Sequence, residues 1–322
     1  MATTLVRRAL HGLLLLVGVS LLSFVLLELA PGDYFSEMRL DPRISEATVR
    51  ELRLRYGLDR PLPERYLRWL ASVAKGEMGY SFAYGQPVGQ LLWPRMRNTL
   101  LLTGTSTALA WMLALPLGAW WAARRGGAVD AGLAGLTAAL LAMPDIVLVL
   151  GLLLLAVRTG WLPAGGMVSL DHERMSWAAR VEDVAVHLVV PVTALVLGTL
   201  PVLVRYVRAG VSEALEAPFV RAARAHGLGE RHVLLWHALP AAANPLVSMF
   251  GLSLAGLLST SLLVEVVVSW PGLGPLLLEA ILARDYYLVL GPVVASTLLL
   301  AGGSLLADAL LLAVDPRIRT EA

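Results

Sequence analysis

Two neighbouring stretches hold the residue types whose spacing suggests chemistry: Arg221-Ala222-Ala223-Arg224-Ala225-His226-Gly227 and, ten residues on, His237-Ala238-Leu239-Pro240. Metal binding is one candidate. His226, His232 and His237 are close in sequence, but spacings of six and five put them on different helical faces, so they compose no metal site. Hydrolysis is another, yet the chain contains neither an H-E-x-x-H nor a G-x-S-x-G pattern. Lys75 is the only lysine and is flanked by Ala74 and Gly76, so there is no G-x-x-x-x-G-K-[ST] phosphate loop. Any ATP-driven step must then be powered by another subunit. What is left is a basic, polar island between two long apolar segments, running from about Arg208 to Asn244. Joining two helices takes a few residues, so an island of this length points to a task of its own.

The elements that position these residues can be read locally. Pro218 suits a first helical position, where its missing N–H leaves nothing unsatisfied, and Gly227 suits the left-handed residue that ends a helix. The helix between them is about nine residues, roughly 13 Å long. Its spacing predicts Phe219, Ala222, Ala223 and His226 on one face and Arg221 with Arg224 on another. A second short helix is expected from about Glu230 to Leu239, with Val233 and Trp236 on one side and Pro240 ending it. Asn244 is then expected to cap the next helix, Pro245 taking its first position.

Composition sets the surroundings. With 57% hydrophobic and 16% charged residues over 322 positions, the chain is too apolar for a soluble domain and reads as an all-α polytopic membrane protein. Basic residues number 26 against 24 acidic ones, so nothing points to a nucleic-acid partner, and the absence of cysteine excludes disulfides and Cys-ligated metal. Apolar runs at about 9–30, 99–122, 131–157, 184–207, 245–268 and 288–314 give six transmembrane helices, each long enough for ~30 Å of hydrocarbon. The first is read as a retained span, because no small-x-small cleavage site leads into Pro31. Short loops assigned to the inside carry ten arginines, from Arg7 to Arg319. The short outside loops carry four, Arg158, Arg174, Arg180 and Arg284, which places both termini in the cytoplasm.

The chain therefore divides into an N-terminal span over 1–30, an external insertion over 31–98 and a five-helix core over 99–322 that contains the loop at about 208–243. In the insertion, Ser45-Glu46-Ala47-Thr48 with Val49, Leu52 and Tyr56 predicts an amphipathic helix stopped by Gly57. Leu67, Leu70 and Val73 predict the buried face of another, beginning after Pro61 and Pro63. Ionisable residues within spans are costly and each calls for a role. Glu28, at the outer end of the first span, can snorkel. Asp145, beside Pro144, is the weak candidate for a substrate-pathway residue, with a helix cap at a proline break as the alternative. Glu265 and Asp308 are expected to serve helix packing or the membrane surface. Ser253, Ser259, Thr260 and Ser261 fit either small-residue packing or a polar passage.

The pattern Ala222-Ala223-x-x-x-Gly227 with Leu239-Pro240 downstream resembles the "EAA" loop of binding-protein-dependent ABC importer permeases. Phe219-Val220-Arg221-x-Ala223-Arg224-Ala225-x-Gly227-Leu228 is similar to the oligopeptide/dipeptide/nickel branch, which commonly has a non-acidic residue where Arg221 stands. So are Gly57-Leu58-Asp59-x-Pro61-Leu62-Pro63, Gly160-Trp161-Leu162-Pro163, Ser269-Trp270-Pro271-Gly272-Leu273-Gly274, Arg284-Asp285-Tyr286 and Asp315-Pro316-Arg317-Ile318-Arg319, in that order along most of the chain. The resemblance implies a non-catalytic permease subunit in the bacterial inner membrane, importing di- or oligopeptides. Nickel complexes, glutathione-like molecules and sugars are cargoes of the same branch. It implies four partners besides lipid: a second permease, two ABC ATPase subunits that bind the ATP and Mg, and an external substrate-binding protein. Phe219, Arg221, Ala222, Ala223, Arg224, Gly227, Leu239 and Pro240 become the ATPase-coupling residues. Ala222 and Ala223 would approach a groove on the ATPase, Arg221 and Arg224 would make charge contacts, and Gly227 would make the turn. A secondary transporter and a membrane-anchored sensor are the rival classes. The scarcity of mid-span carboxylates argues against the first.

Overall fold

A computed structural model describes residues 2–30, 32, 34, 35, 45–55 and 57–314. Pro31, Tyr56 and the tail motif Asp315 to Arg319 lie outside the described residues, as do the side chains of Leu52, Asn244 and Asp308. The described chain is almost wholly helical. Five helices are long and apolar enough to cross a membrane: α1 (Ala2–Leu29), α4 (Val88–Ala122), α7 (Trp177–Glu216), α11 (Ala243–Val267) and α13 (Tyr286–Val314). Smaller helices lie between them, α2 (Glu46–Arg55) and α3 (Leu62–Val73) in the insertion, α5 (Ala128–Ala142) and α6 (Asp145–Thr159) after α4, and α12 (Leu273–Leu282) before α13.

The continuous third span expected over 131–157 is instead a bent pair. α5 and α6 meet at 95°, because Pro144 pushes Met143 out of the helical region, to ψ 124, and takes ψ 141 itself. Each piece has 15 residues, about 22 Å, shorter than a ~30 Å hydrocarbon core. The expected count of six spans holds when the pair is taken as one.

Packing gathers these elements into two compact units, one centred on Leu100–Trp270 and the other on Val6–Thr99 with Pro271–Ala301. In the first, α7 packs against α5, α6 and α11 around a core that includes Trp121, Leu195, Leu203, Val207 and Leu257. Close approach depends on small residues, as expected where lipid removes the hydrophobic drive for helices to associate. A Cβ on Gly118 would lie 2.6 Å from Val207 Cβ and 2.9 Å from the Val204 carbonyl oxygen. Ser253 and Ser261 are buried and return their hydroxyls to the Phe250 and Leu258 carbonyls. Ser253 also accepts the Trp111 indole N–H at 2.9 Å, so packing rather than a passage explains these two. Glu265 is fully buried within the same helix.

The second unit is tied by polar bonds and aromatic rings. Asp285, fully buried, accepts from Ser81 Oγ at 2.7 Å, the Ala83 N–H at 2.9 Å and the Leu288 N–H at 3.2 Å. Ser81 belongs to a two-residue antiparallel pairing, Tyr80 opposite Pro87 and Ser81 opposite Gln86. Tyr84 donates to the Glu279 carboxylate, and that bond holds its phenol above the usual tyrosine range. Phe24 meets Tyr66 and Tyr286 edge-on, centroids 5.2 and 5.0 Å apart, with Trp69 alongside. α2 starts with Ser45 Oγ accepting the Thr48 N–H and buries Val49, and Gly57 beyond it takes φ 66. The α3 face is one residue out of register with expectation. Tyr66 and Trp69 lead the buried side, joined by Leu70 and Val73, while Leu67 is 63% exposed, because the large rings fill the available space better.

Candidate functional site

The basic island folds as two short helical segments on a core of their own. Ala217 is extended (ψ 148), Pro218 opens helix α8 (Pro218–Ala225), and His226 closes it. Gly227 then takes φ 80, and three backbone bonds tie off the end: His226 N–H to the Ala222 carbonyl, Gly227 N–H to Arg224 and Leu228 N–H to Ala223. Space around Gly227 is open, so its constraint is backbone conformation alone.

Beyond the turn, α9 (Glu230–Val233) passes into a π-turn at Leu234–Ala238 and then α10 (Leu239–Ala241). Pro240 does not end this segment as expected. The wider π-turn carries the chain through the position where an α-helical carbonyl would strike the proline ring. Likewise α11 begins at Ala243 behind Ala242, so Asn244 is inside the helix and does not cap it.

Burial sorts the expected coupling residues into two groups. Val220, Ala223 and Val233 are buried together against Leu215. Ala223 therefore faces the loop's own interior. Phe219 is 49% exposed, and Arg221, Ala222 and Pro240 are exposed too. Val233 and Trp236 do not share a side, since Val233 is fully buried and Trp236 is 71% exposed with Leu235 beside it. Phe219, Arg221 and Ala222 on α8 and Leu235 and Trp236 beyond the turn are thus all left exposed. Arg224 is already engaged: Nε and Nη2 reach the two Glu230 carboxylate oxygens at 2.9 and 3.0 Å, across the Gly227 turn. The pair bridges α8 and α9. His232 lies between Trp236 and His237, ring centroids 6.3 and 5.6 Å away, and no group of side chains among the described residues could hold a metal ion.

Both ends of the loop are fastened to the first unit. Ala238, Leu239 and Ala242 pack into its core. At the entry, Asp130 accepts Arg208 Nη2 and the Trp121 indole N–H, each at 2.7 Å, as well as the Gly126 N–H at 3.0 Å. Arg208 also lies 4.5 Å over the Trp121 ring, and Arg125 bonds Ser212 at 2.9 Å and pairs with Glu216. Sequence reasoning counted Arg125 and Arg208 only toward membrane orientation. The signal that could have revealed the knot is Asp130, an acidic residue just after a turn that holds Arg124 and Arg125. Asp145, the pathway candidate, is exposed on the first turn of α6, and Gly198 makes room for it, since a Cβ there would lie 2.6 Å from Asp145 Oδ1.

Residues 114–320 match the family described as binding-protein-dependent transport system inner membrane component, and residues 1–103 match the family of the N-terminal part of such membrane components. The oligopeptide transport system permease protein AppB of Bacillus subtilis (strain 168) is 37% identical over 320 residues, 99% of each chain. The dipeptide transport system permease protein DppB of Escherichia coli (strain K12) is 33% identical over 322 residues, 94% of each chain. An inward-facing structure of the MetNI methionine ABC transporter shares the fold with a TM-score of 0.58 at 19% identity, over 70% of this chain and 97% of that one.

Proposed function

The chain belongs to the family of binding-protein-dependent transport system inner membrane components, and on that premise we propose that it is a permease subunit of an ATP-driven importer of di- or oligopeptides. It works beside a second permease, two ABC ATPase subunits and an external substrate-binding protein. ATP and Mg are bound by the ATPases, and this chain catalyses no reaction. Its termini and the 218–241 loop lie in the cytoplasm, and the 31–98 insertion lies outside. The relatives' names support the cargo class.

The observation that carries the mechanism is the loop: large apolar side chains left exposed at Phe219, Leu235 and Trp236, on a base that is fastened at both ends. A helix barely changes length, so displacement of α8 by a closing ATPase pair is passed through Ala238 to Ala242 into α11, and through Arg208 and Glu216 into α7. Rocking of packed helices then opens the passage on one side and closes it on the other. On this reading Gly227 sets the angle between the two short segments. Leu239 and Pro240 join them to the core, and Asp145, at the break of the bent span, lines the passage.

Because the natural chain has no cysteine, single cysteines report contacts directly. Ala222→Cys should cross-link to an ATPase subunit in membranes holding the whole complex, and Ala223→Cys should not. No ATPase adduct from Ala222→Cys, or its labelling by an impermeant reagent from outside the cell, would overturn the proposal.

A further inference from the structure

The second unit holds a cavity of about 470 Å³, open on one side, beside the end of α1. The described residues lining it include two arginines, Arg65 and Arg284, and the carboxylate of Glu28. Glu28 is committed, its Oε2 accepting Arg65 Nη1 at 2.8 Å. Arg65 is not fully used by that bond. Its side chain is only 6% exposed and its guanidinium lies 4.6 Å over the Tyr286 ring, so its charge is held in place at the cavity wall.

Arg284 supplies the second observation. It occupies the left-handed position after α12, with φ 51, where the Arg284 N–H meets the Ile281 carbonyl and the Asp285 N–H meets the Ala280 carbonyl. Glycine fits that position without strain, and a long cationic side chain does not. Its exposed guanidinium makes no hydrogen bond or ion pair among the described residues, and it faces the same cavity as Arg65. Strain retained where glycine would serve points to a use for the side chain.

We propose that this cavity is an oxyanion site that receives the C-terminal carboxylate of a peptide on the delivery side of the membrane, with Arg65 and Arg284 as the donors. The proposal rests on the peptide-importer reading for its cargo, while the anion chemistry comes from the cavity alone. The volume suits the end of a peptide rather than a folded partner. Planar guanidinium forks match a carboxylate in two-point geometry, and Tyr286 and Phe82 supply apolar wall. A lipid phosphate at the end of α1 offers the same chemistry from a second source, and the test separates the two.

Arg284→Gly removes the charge while relieving the backbone, so its melting temperature should equal or exceed the wild type. N-acetylalanine, and not N-acetylalanine amide, should raise the melting temperature of the purified full complex, and Arg284→Gly should lose that shift. In liposomes with one binding protein throughout, the wild type should import alanyl-alanine faster than alanyl-alanine amide at saturation, and Arg284→Gly should cut the preference about tenfold, the usual size of one charge-assisted contact. Arg284→Lys should keep part of it. No shift with N-acetylalanine overturns the site whatever the cargo. A shift without import of either peptide retains the site and overturns the peptide reading. A variant phenotype that depends on phosphatidylglycerol and not on the peptide carboxylate overturns the peptide source in favour of lipid.

Discussion

The loop at 218–241 and the insertion around α2 and α3 are both polar breaks in an apolar chain, yet only the insertion builds a buried cluster of aromatic rings. In the insertion Tyr66 and Trp69 turn inward beside Phe24 and Tyr286, and Ser81 and Ala83 donate to the buried Asp285. In the loop the interior holds only Val220, Ala223 and Val233, while Phe219, Leu235 and Trp236 are left exposed. Rings buried against one another hold the fold of their own unit. A region that exposes them on a base fastened at both ends is built to be covered. The same distinction sets what mutation should do: stability should move in the insertion and coupling in the loop.

The sharpest break of that contrast is Asp285→Ala. It strands the donors at Ser81, Ala83 and Leu288, at roughly 1–3 kcal/mol for each buried group left unmade. Limited proteolysis within Val6–Thr99 should accelerate and the melting temperature fall, and unaltered digestion would show that the carboxylate is not what ties this unit together. Next is Gly227→Val. A non-glycine residue in the left-handed region carries about 1–2 kcal/mol, more when β-branched, against a loop core of three small side chains. Substrate-stimulated ATP hydrolysis should disappear while membrane insertion persists. Normal stimulation in that variant would remove the turn from the mechanism.

How far the sequence foretold these regions depends on what decided each feature. Pro218 and Gly227 bracket α8 through backbone geometry that one residue determines, and Pro144 likewise announced a break, though not an angle of 95°. Faces were harder to foresee. Ala222 and Ala223 look equivalent in sequence, but burial of Val220 and Val233 rotates Ala223 inward, a fact of tertiary packing that spacing alone leaves open. Leu67 lost its expected place to Tyr66 and Trp69 for the same reason, since which of two apolar stripes is buried depends on the partner rings. The Asp130, Arg208 and Trp121 knot joins residues 78 apart, beyond any local pattern.

Smaller changes sharpen the comparison. Phe219→Ala and Trp236→Ala truncate side chains that are 49% and 71% exposed, so the melting temperature should stay near the wild type. ATPase stimulation should fall about tenfold for each, as when an interface anchor is truncated. A drop in melting temperature without loss of stimulation would mean that these side chains serve the fold, as their counterparts in the insertion do.

The smallest expected effect separates the two loop arginines. Arg224 is paired with Glu230 across the turn, at side-chain exposures of 38% and 73%, so water screens the pair and its worth is below about 1 kcal/mol. Glu230→Gln should therefore weaken stimulation by less than about fivefold, with little dependence on salt beyond the loss of that pair. Arg221 is exposed and has no such partner among the described residues, so any attraction it exerts is directed outward. Arg221→Gln should flatten the decline of ATPase docking as ionic strength rises, measured as the salt dependence of stimulation, without moving the melting temperature. The reverse pattern, with Arg221→Gln destabilising and Glu230→Gln flattening the salt response, would exchange the roles. The intraloop pair would then be the contact that opens when the ATPase binds.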